Sequence, residues 1–115
     1  MSNPKLQEIW LVRFPFSNLT STKVRPALVL AVHQEELIIL GIFSKIPEGK
    51  LRDTWVLIEQ GDPDFLQTGL KKTSLIRADK IATVNNSVFK RKLGTLPSEK
   101  LALVQEALKK AINMS

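Results

Sequence analysis

The sequence predicts a mainly β fold with helices (β/α+β): a small antiparallel barrel with a C-terminal helix. Three observations predict it. Short apolar runs rich in β-branched and aromatic residues recur along the chain, each bounded by Gly, Pro, Asn, Asp or Ser. The two central runs are joined by a connection too short for a crossover helix, so they pair antiparallel. Only the last stretch of the chain carries a helical period.

The elements follow in order. Residues 1–6 are a loose lead-in. "EIWLVRFPF" (8–16) is a strand closed by Pro15. "SNLTSTK" (17–23) is a polar loop of turn formers. "PALVLAV" (26–32) is a central strand, with Pro26 at its first residue, where a missing N–H is tolerated. "QEE" (34–36) turns the chain into "LIILGIFS" (37–44), where Gly41 marks a bend or bulge. A loop over 45–53 leads to the strand "TWVLIE" (54–59), and residues 60–72 make a long irregular connection. "TSLIRADKIATV" (73–84) reads as a strand followed by a second extended piece. "NNSVFKRKLG" (85–94) reads as a turn with a helical twist ended by Gly94. In the last stretch Leu101, Val104, Leu108, Ala111 and Ile112 form one apolar helical stripe. Pro97 suits the first turn, Glu99 the positive N-terminal end, and Lys109 and Lys110 the last turn. Five or six short strands of this kind close into a small barrel, with the helix over an open end.

The chain has 115 residues, which suits one domain spanning 1–115. Seventeen Lys and Arg against eleven Asp and Glu give a net charge of +6, which favours polyanionic partners. There is no cysteine, which excludes disulfides, thiolate metal sites and cysteine nucleophiles. A single histidine, His33, excludes polyhistidine metal sites and leaves carboxylates as the only metal ligands. No metal and no cofactor are expected. No apolar run approaches the roughly 20 residues that span a bilayer, and no secretory pattern opens the chain. The expectation is a soluble cytoplasmic protein with no membrane contact.

Strand alternation sorts the residues that could do chemistry. Thr73, Leu75, Arg77 and Asp79 share one face, and Ser74, Ile76 and Ala78 share the other, largely apolar and core-facing one. Arg77 and Asp79 either pair with each other or point together at a third group. Arg25 stands just before a buried strand, at the end of the polar loop that also carries Lys23. Its guanidinium either snorkels from the barrel rim or presents its rigid fork of donors to a phosphate. Ser44 ends the neighbouring strand, as a turn cap or as a hydroxyl of the site. Two arginines, a carboxylate and a hydroxyl contain no metal ligand set and no His–nucleophile pair. They suit a phosphodiester whose own 2′-hydroxyl is the nucleophile. Arginine hardly loses a proton, so Asp79 is the natural base and the arginines are electrostatic clamps. Arg77 beside it would lower the Asp79 pKa.

"EIWLVRFPFSN", "KVRPALVLA", "LGIFSKI" and "TSLIRADKIATV…KRKLGTL" together resemble, in order and spacing, the MazF/PemK/Kid toxins of toxin–antitoxin modules. The resemblance implies an SH3-like barrel, usually a homodimer. It implies a metal-independent endoribonuclease that cuts single-stranded RNA to 2′,3′-cyclic phosphate and 5′-OH ends and is neutralised by a cognate antitoxin. The matched positions make Arg25, Arg77 and Asp79 catalytic; the threonine position falls on Phe43, and Ser44 is expected to supply the catalytic hydroxyl through a local shift. Thr22, Lys23, Phe43, Thr73, Leu75 and Lys80 are expected RNA contacts. The sequence departs from the family pattern in places. Phe43 stands at the usual catalytic threonine position, Gln7-Glu8 replaces an early Gly-Asp or Gly-Glu, and the loop over 17–23 lacks the histidine of some members. The alternative reading is a barrel that binds nucleic acid or antitoxin without cleaving, which Phe43 favours. A peptide-binding SH3 module is disfavoured, because the chain has no tyrosine and only 6% aromatic residues to build a polyproline groove. Lys90-Arg91-Lys92 either extends the basic track or is a solvated turn.

Overall fold

The computed structural model describes residues 3–13 and 23–114. Among the described residues six strands form one antiparallel sheet: β1 (Glu8–Val12), β2 (Arg25–His33), β3 (Glu36–Phe43), β4 (Trp55–Ile58), β5 (Ser74–Asn85) and β6 (Phe89–Thr95). Their order is β4-β5-β3-β2-β1-β6. β4 and β6 end the sheet, so among the described residues it is bent but not closed by pairing. A short helix α1 (Phe65–Thr68) lies between β4 and β5, and α2 (Ser98–Ala111) ends the fold.

The expected strands around Arg25 and Ser44 are present. β2 and β3 form the tight hairpin, with His33 opposite Glu36 and Gln34 at φ 59°. The bend expected at Gly41 is also present. Gly41 lies opposite Arg77, whereas the preceding Leu40 lies opposite Ile81. Ala78, Asp79 and Lys80 are therefore extra residues on β5. An odd number of extra residues turns the alternation over. Ile76 and Ala78 join one apolar cluster, and Val84 joins the other.

The first cluster holds Leu28, Leu40, Ile42 and Ile76, covered by Val104 and Ala107 of α2. The second lies on the opposite face and holds Trp10, Val29, Leu37 and Ile39. Leu101, Leu108 and Ala111 pack at the margin of the first cluster, as the helical stripe predicted. Ile112 falls beyond the last turn and is 46% exposed. Pro97 occupies the N-cap position, just before the helix, and its carbonyl accepts from Leu101 N at 3.0 Å.

Two segments differ from expectation. Asn86–Val88 form a 3-10 turn, the helical twist expected there, but β6 follows directly where the sequence suggested only the rest of that turn. The Lys-Arg-Lys run hid the strand alternation. β6 is an edge strand, where solvated charges are usual. The connection over 60–72 contains α1, one turn whose Phe65 and Thr68 are buried. Thr68 Oγ1 donates to Phe65 O at 2.7 Å and accepts from Leu70 N at 3.1 Å. α1 docks on β6 through two glycines. A Cβ on Gly69 would run into the Leu93 carbonyl, and one on Gly94 into the Gln67 carbonyl.

Glu8 ties β1 to β6. Its Oε1 accepts from Trp10 Nε1 and Lys5 N, both at 2.9 Å, and Lys92 Nζ lies 3.0 Å from Oε2. Burial pushes this carboxyl up, but those bonds outweigh it and hold it below its usual value.

Candidate functional site

The site is built on the sheet face away from α2, at the end of β3. Arg25 opens β2, followed by Pro26, whose ring sets the backbone entering the strand. Phe43 ends β3 and lies opposite Leu75 of β5, which is buried and forms the floor. Arg77 lies between two strands. On the β3 side its partner is Gly41, which has no side chain to compete for space. On the β4 side its partner is Trp55.

The result is a row of alternating cations and aromatic rings. The Arg25 guanidinium carbon is 5.8 Å from the Phe43 ring centroid, and that of Arg77 is 5.7 Å from the same ring. Arg77 is 4.7 Å from the Trp55 ring, with Arg52 at 5.5 Å from Trp55. Each such contact contributes about 0.5–1 kcal/mol at an exposed site. A pocket of about 260 Å³ opens among Phe43, Trp55, Leu75 and Arg77.

Asp79 fixes Arg77 in the middle of the row. Arg77 Nη2 donates to Asp79 Oδ2 at 2.7 Å and Nε to Oδ1 at 3.2 Å, and Trp55 Nε1 donates to Oδ1 at 3.0 Å. Burial pushes the Asp79 carboxyl up. The Arg77 guanidinium, with help from the Trp55 indole, outweighs it and holds the group below its usual value. Of the two arrangements that alternation left open, Arg77 and Asp79 pair with each other, and the lowering of the Asp79 pKa that Arg77 implied is present.

The structure divides the remaining expected site residues. Ser44 is exposed and lies on the other side of β3 from Arg77. It lines a separate cleft of about 330 Å³, which Arg25 also lines. Arg25 is thus shared between the two sides, and Ser44 is not brought to Asp79. The Thr73 hydroxyl accepts from Gln60 N at 2.9 Å and anchors the connection before β5. Lys80 is one of the extra residues at the β5 bend, and Lys23 is exposed just ahead of β2. Thr22 lies outside the described residues.

Sequence reasoning missed Trp55 and Arg52. "TWVLIE" was legible as a strand, but its place beside Arg77 depends on a strand order that joins β4 to β5 rather than to β3.

A family model for the PemK-like, MazF-like toxin of type II toxin–antitoxin systems matches residues 5–112. The chain belongs to the PemK/MazF toxin family. No curated protein matches it by sequence. Solved structures of similar fold include the Mycobacterium tuberculosis toxin MazF-mt6, at 19% identity and a TM-score of 0.73 over 94% of this chain and 98% of that one. Another is MazF from Deinococcus radiodurans, at 21% identity and 0.73 over 99% and 100%. A third is an endoribonuclease in complex with its cognate antitoxin from a Mycobacterial species, at 16% identity and 0.73 over 97% of each chain. At these identities the likeness is one of fold. This PemK/MazF member thus carries an aromatic ring, Phe43, between its two arginines, where the family resemblance expects a threonine.

Proposed function

We propose that this toxin is an endoribonuclease that cuts single-stranded RNA in a sequence-selective way and without a metal. The observation that carries the reading is the approach of Arg25 and Arg77 to one ring: their guanidinium carbons can be no farther apart than the sum of their two distances from it. A phosphodiester lying over Phe43 would meet a cation on each side. Aromatic faces beside the cations suit single-stranded RNA, whose unstacked bases lie on such rings.

In this reaction the substrate's 2′-oxygen attacks phosphorus, a 2′,3′-cyclic phosphate forms, and the bond to the 5′-oxygen breaks. Arg25 and Arg77 neutralise the charge that gathers on the phosphoryl oxygens. Asp79 takes the 2′-proton. In the free protein the Arg77 grip holds its pKa down. As Arg77 turns its Nη2 toward the phosphate, Oδ2 is released and becomes more basic. A water molecule protonates the departing 5′-oxygen. Ser44 contacts RNA on the Arg25 side, and a cognate antitoxin and a second copy of the chain are the protein partners. The fold neighbour named as an endoribonuclease bound to its antitoxin supports this reading.

The test is incubation of the purified protein with unstructured RNA in EDTA, followed by end mapping. Fragments ending in cyclic phosphate and 5′-OH support the enzyme. Phe43 favours a second reading, a binding module without cleavage, because a phenyl ring supplies no hydroxyl at the usual threonine position. Tight RNA binding with no cut ends would select it.

A further inference from the structure

The cleft on the Ser44 side of β3 gathers Arg25, Lys71, Lys72 and Arg91, and no carboxylate lines it among the described residues. None of these four cations makes an ion pair among the described residues. Elsewhere Arg77 pairs with Asp79, Lys92 with Glu8, Lys100 with Asp62 and Lys109 with Glu106. Like charges crowded into a concave wall repel one another and focus a positive potential into the space between them. The cost is offset when a polyanion fills the cleft and releases its counterions. The Gly69 backbone and the apolar side chains of Leu70 and Leu93 form the wall, so the cations stand over an apolar surface that a ribose can cover.

We infer that this cleft is a second RNA subsite. Lys71, Lys72 and Arg91 would hold the phosphates of the strand next to the one cut, on the far side of Arg25 from Phe43. The inference rests on the proposed function in one respect: Arg25 lines the cleft and also stands against Phe43, so a strand engaged at the ring continues past Arg25 into the cleft. An acidic peptide offers the same charge, but only RNA connects the cleft to the phosphodiester site through a single continuous backbone.

The test is binding of a labelled single-stranded 2′-O-methyl RNA, which cannot be cleaved by its own 2′-hydroxyl, across a range of salt. Lys71→Ala/Arg91→Ala removes two cleft charges. Lys109→Ala/Lys110→Ala removes two charges from α2 and serves as the control, with thermal melting to confirm folding of both. The cleft variant is expected to make the log–log salt slope shallower by about 1.4, at roughly 0.7 for each phosphate no longer neutralised. The control is expected to leave it nearly unchanged. Lys71→Arg/Arg91→Lys keeps both charges and should retain the wild-type slope. Equal slopes for the cleft variant and the wild type would overturn the inference. So would loss of poly-glutamate binding with RNA binding intact, which would assign the cleft to an acidic peptide. Because this RNA is not cut, an inactive protein that still shows the slope change would sink the nuclease reading and leave the second subsite standing.

Discussion

Trp55 and Arg77 share one carboxylate. The Trp55 indole N–H and the Arg77 Nε both donate to Asp79 Oδ1, at 3.0 and 3.2 Å, while the Arg77 guanidinium lies 4.7 Å from the Trp55 ring. The tryptophan therefore holds Arg77 in two ways, through its ring face and through the carboxylate they both grip. β4 contributes this residue because its register places Trp55 opposite Arg77.

Replacing Trp55 with Phe keeps a ring for Arg77 but removes the indole donor. Asp79 then loses one of the bonds that lower its pKa, so the acidic limb of the cleavage pH profile should move to higher pH. Trp55→Ala removes the ring as well and should also lower cleavage, by about tenfold, through a misaimed Arg77. A pH–rate series on the two variants checks this, and an unchanged acidic limb in Trp55→Phe would separate Trp55 from Asp79.

Acid should destabilise the fold through Glu8 and Asp79. Both carboxyls are held below their usual values when folded, so the unfolded chain takes up protons first as pH falls. Their contribution is fully present above the ordinary carboxylate range and is lost on acidification through and below it. Melting temperatures measured from neutral pH downward should fall across that window. Glu8→Gln should be less stable at neutral pH and should show a smaller acid-induced drop.

Gly94→Ala should destabilise the protein by about 1–3 kcal/mol, the usual cost of forcing atoms into a packed contact. The new methyl group meets the backbone carbonyl of Gln67 in α1, which cannot rotate away as a side chain could. Urea unfolding measures the change. Because α1 runs into the wall of the basic cleft through Gly69, RNA affinity should fall with it.

Much of this was legible in the residues. Pro26 followed by an apolar run gave β2, Gly41 marked where the pairing of β3 with β5 shifts register, and the alternation of "TSLIRAD" put Arg77 and Asp79 within reach of each other. The opposite face of that segment was also legible, since Ser74, Ile76 and Ala78 are all buried. What could not be read was long-range. Ser44 follows the last residue of β3, and the groups it shares a cleft with, Arg25, Lys71 and Arg91, come from distant parts of the chain, so its separation from Asp79 needed the fold. Trp55 gained its role only when β4 docked beside β5. β6 was hidden because an edge strand tolerates the charges that normally signal a loop.

The central claim is that Arg25 and Arg77 act on one phosphodiester. Its most direct test compares wild type, Arg25→Ala and Arg77→Ala on the same unstructured RNA in EDTA, with cut ends mapped and folding checked by melting. The account predicts that wild type yields cyclic-phosphate ends and that each variant, still folded, is slower by at least ~10²-fold. Cleavage at the wild-type rate in either folded variant would contradict it.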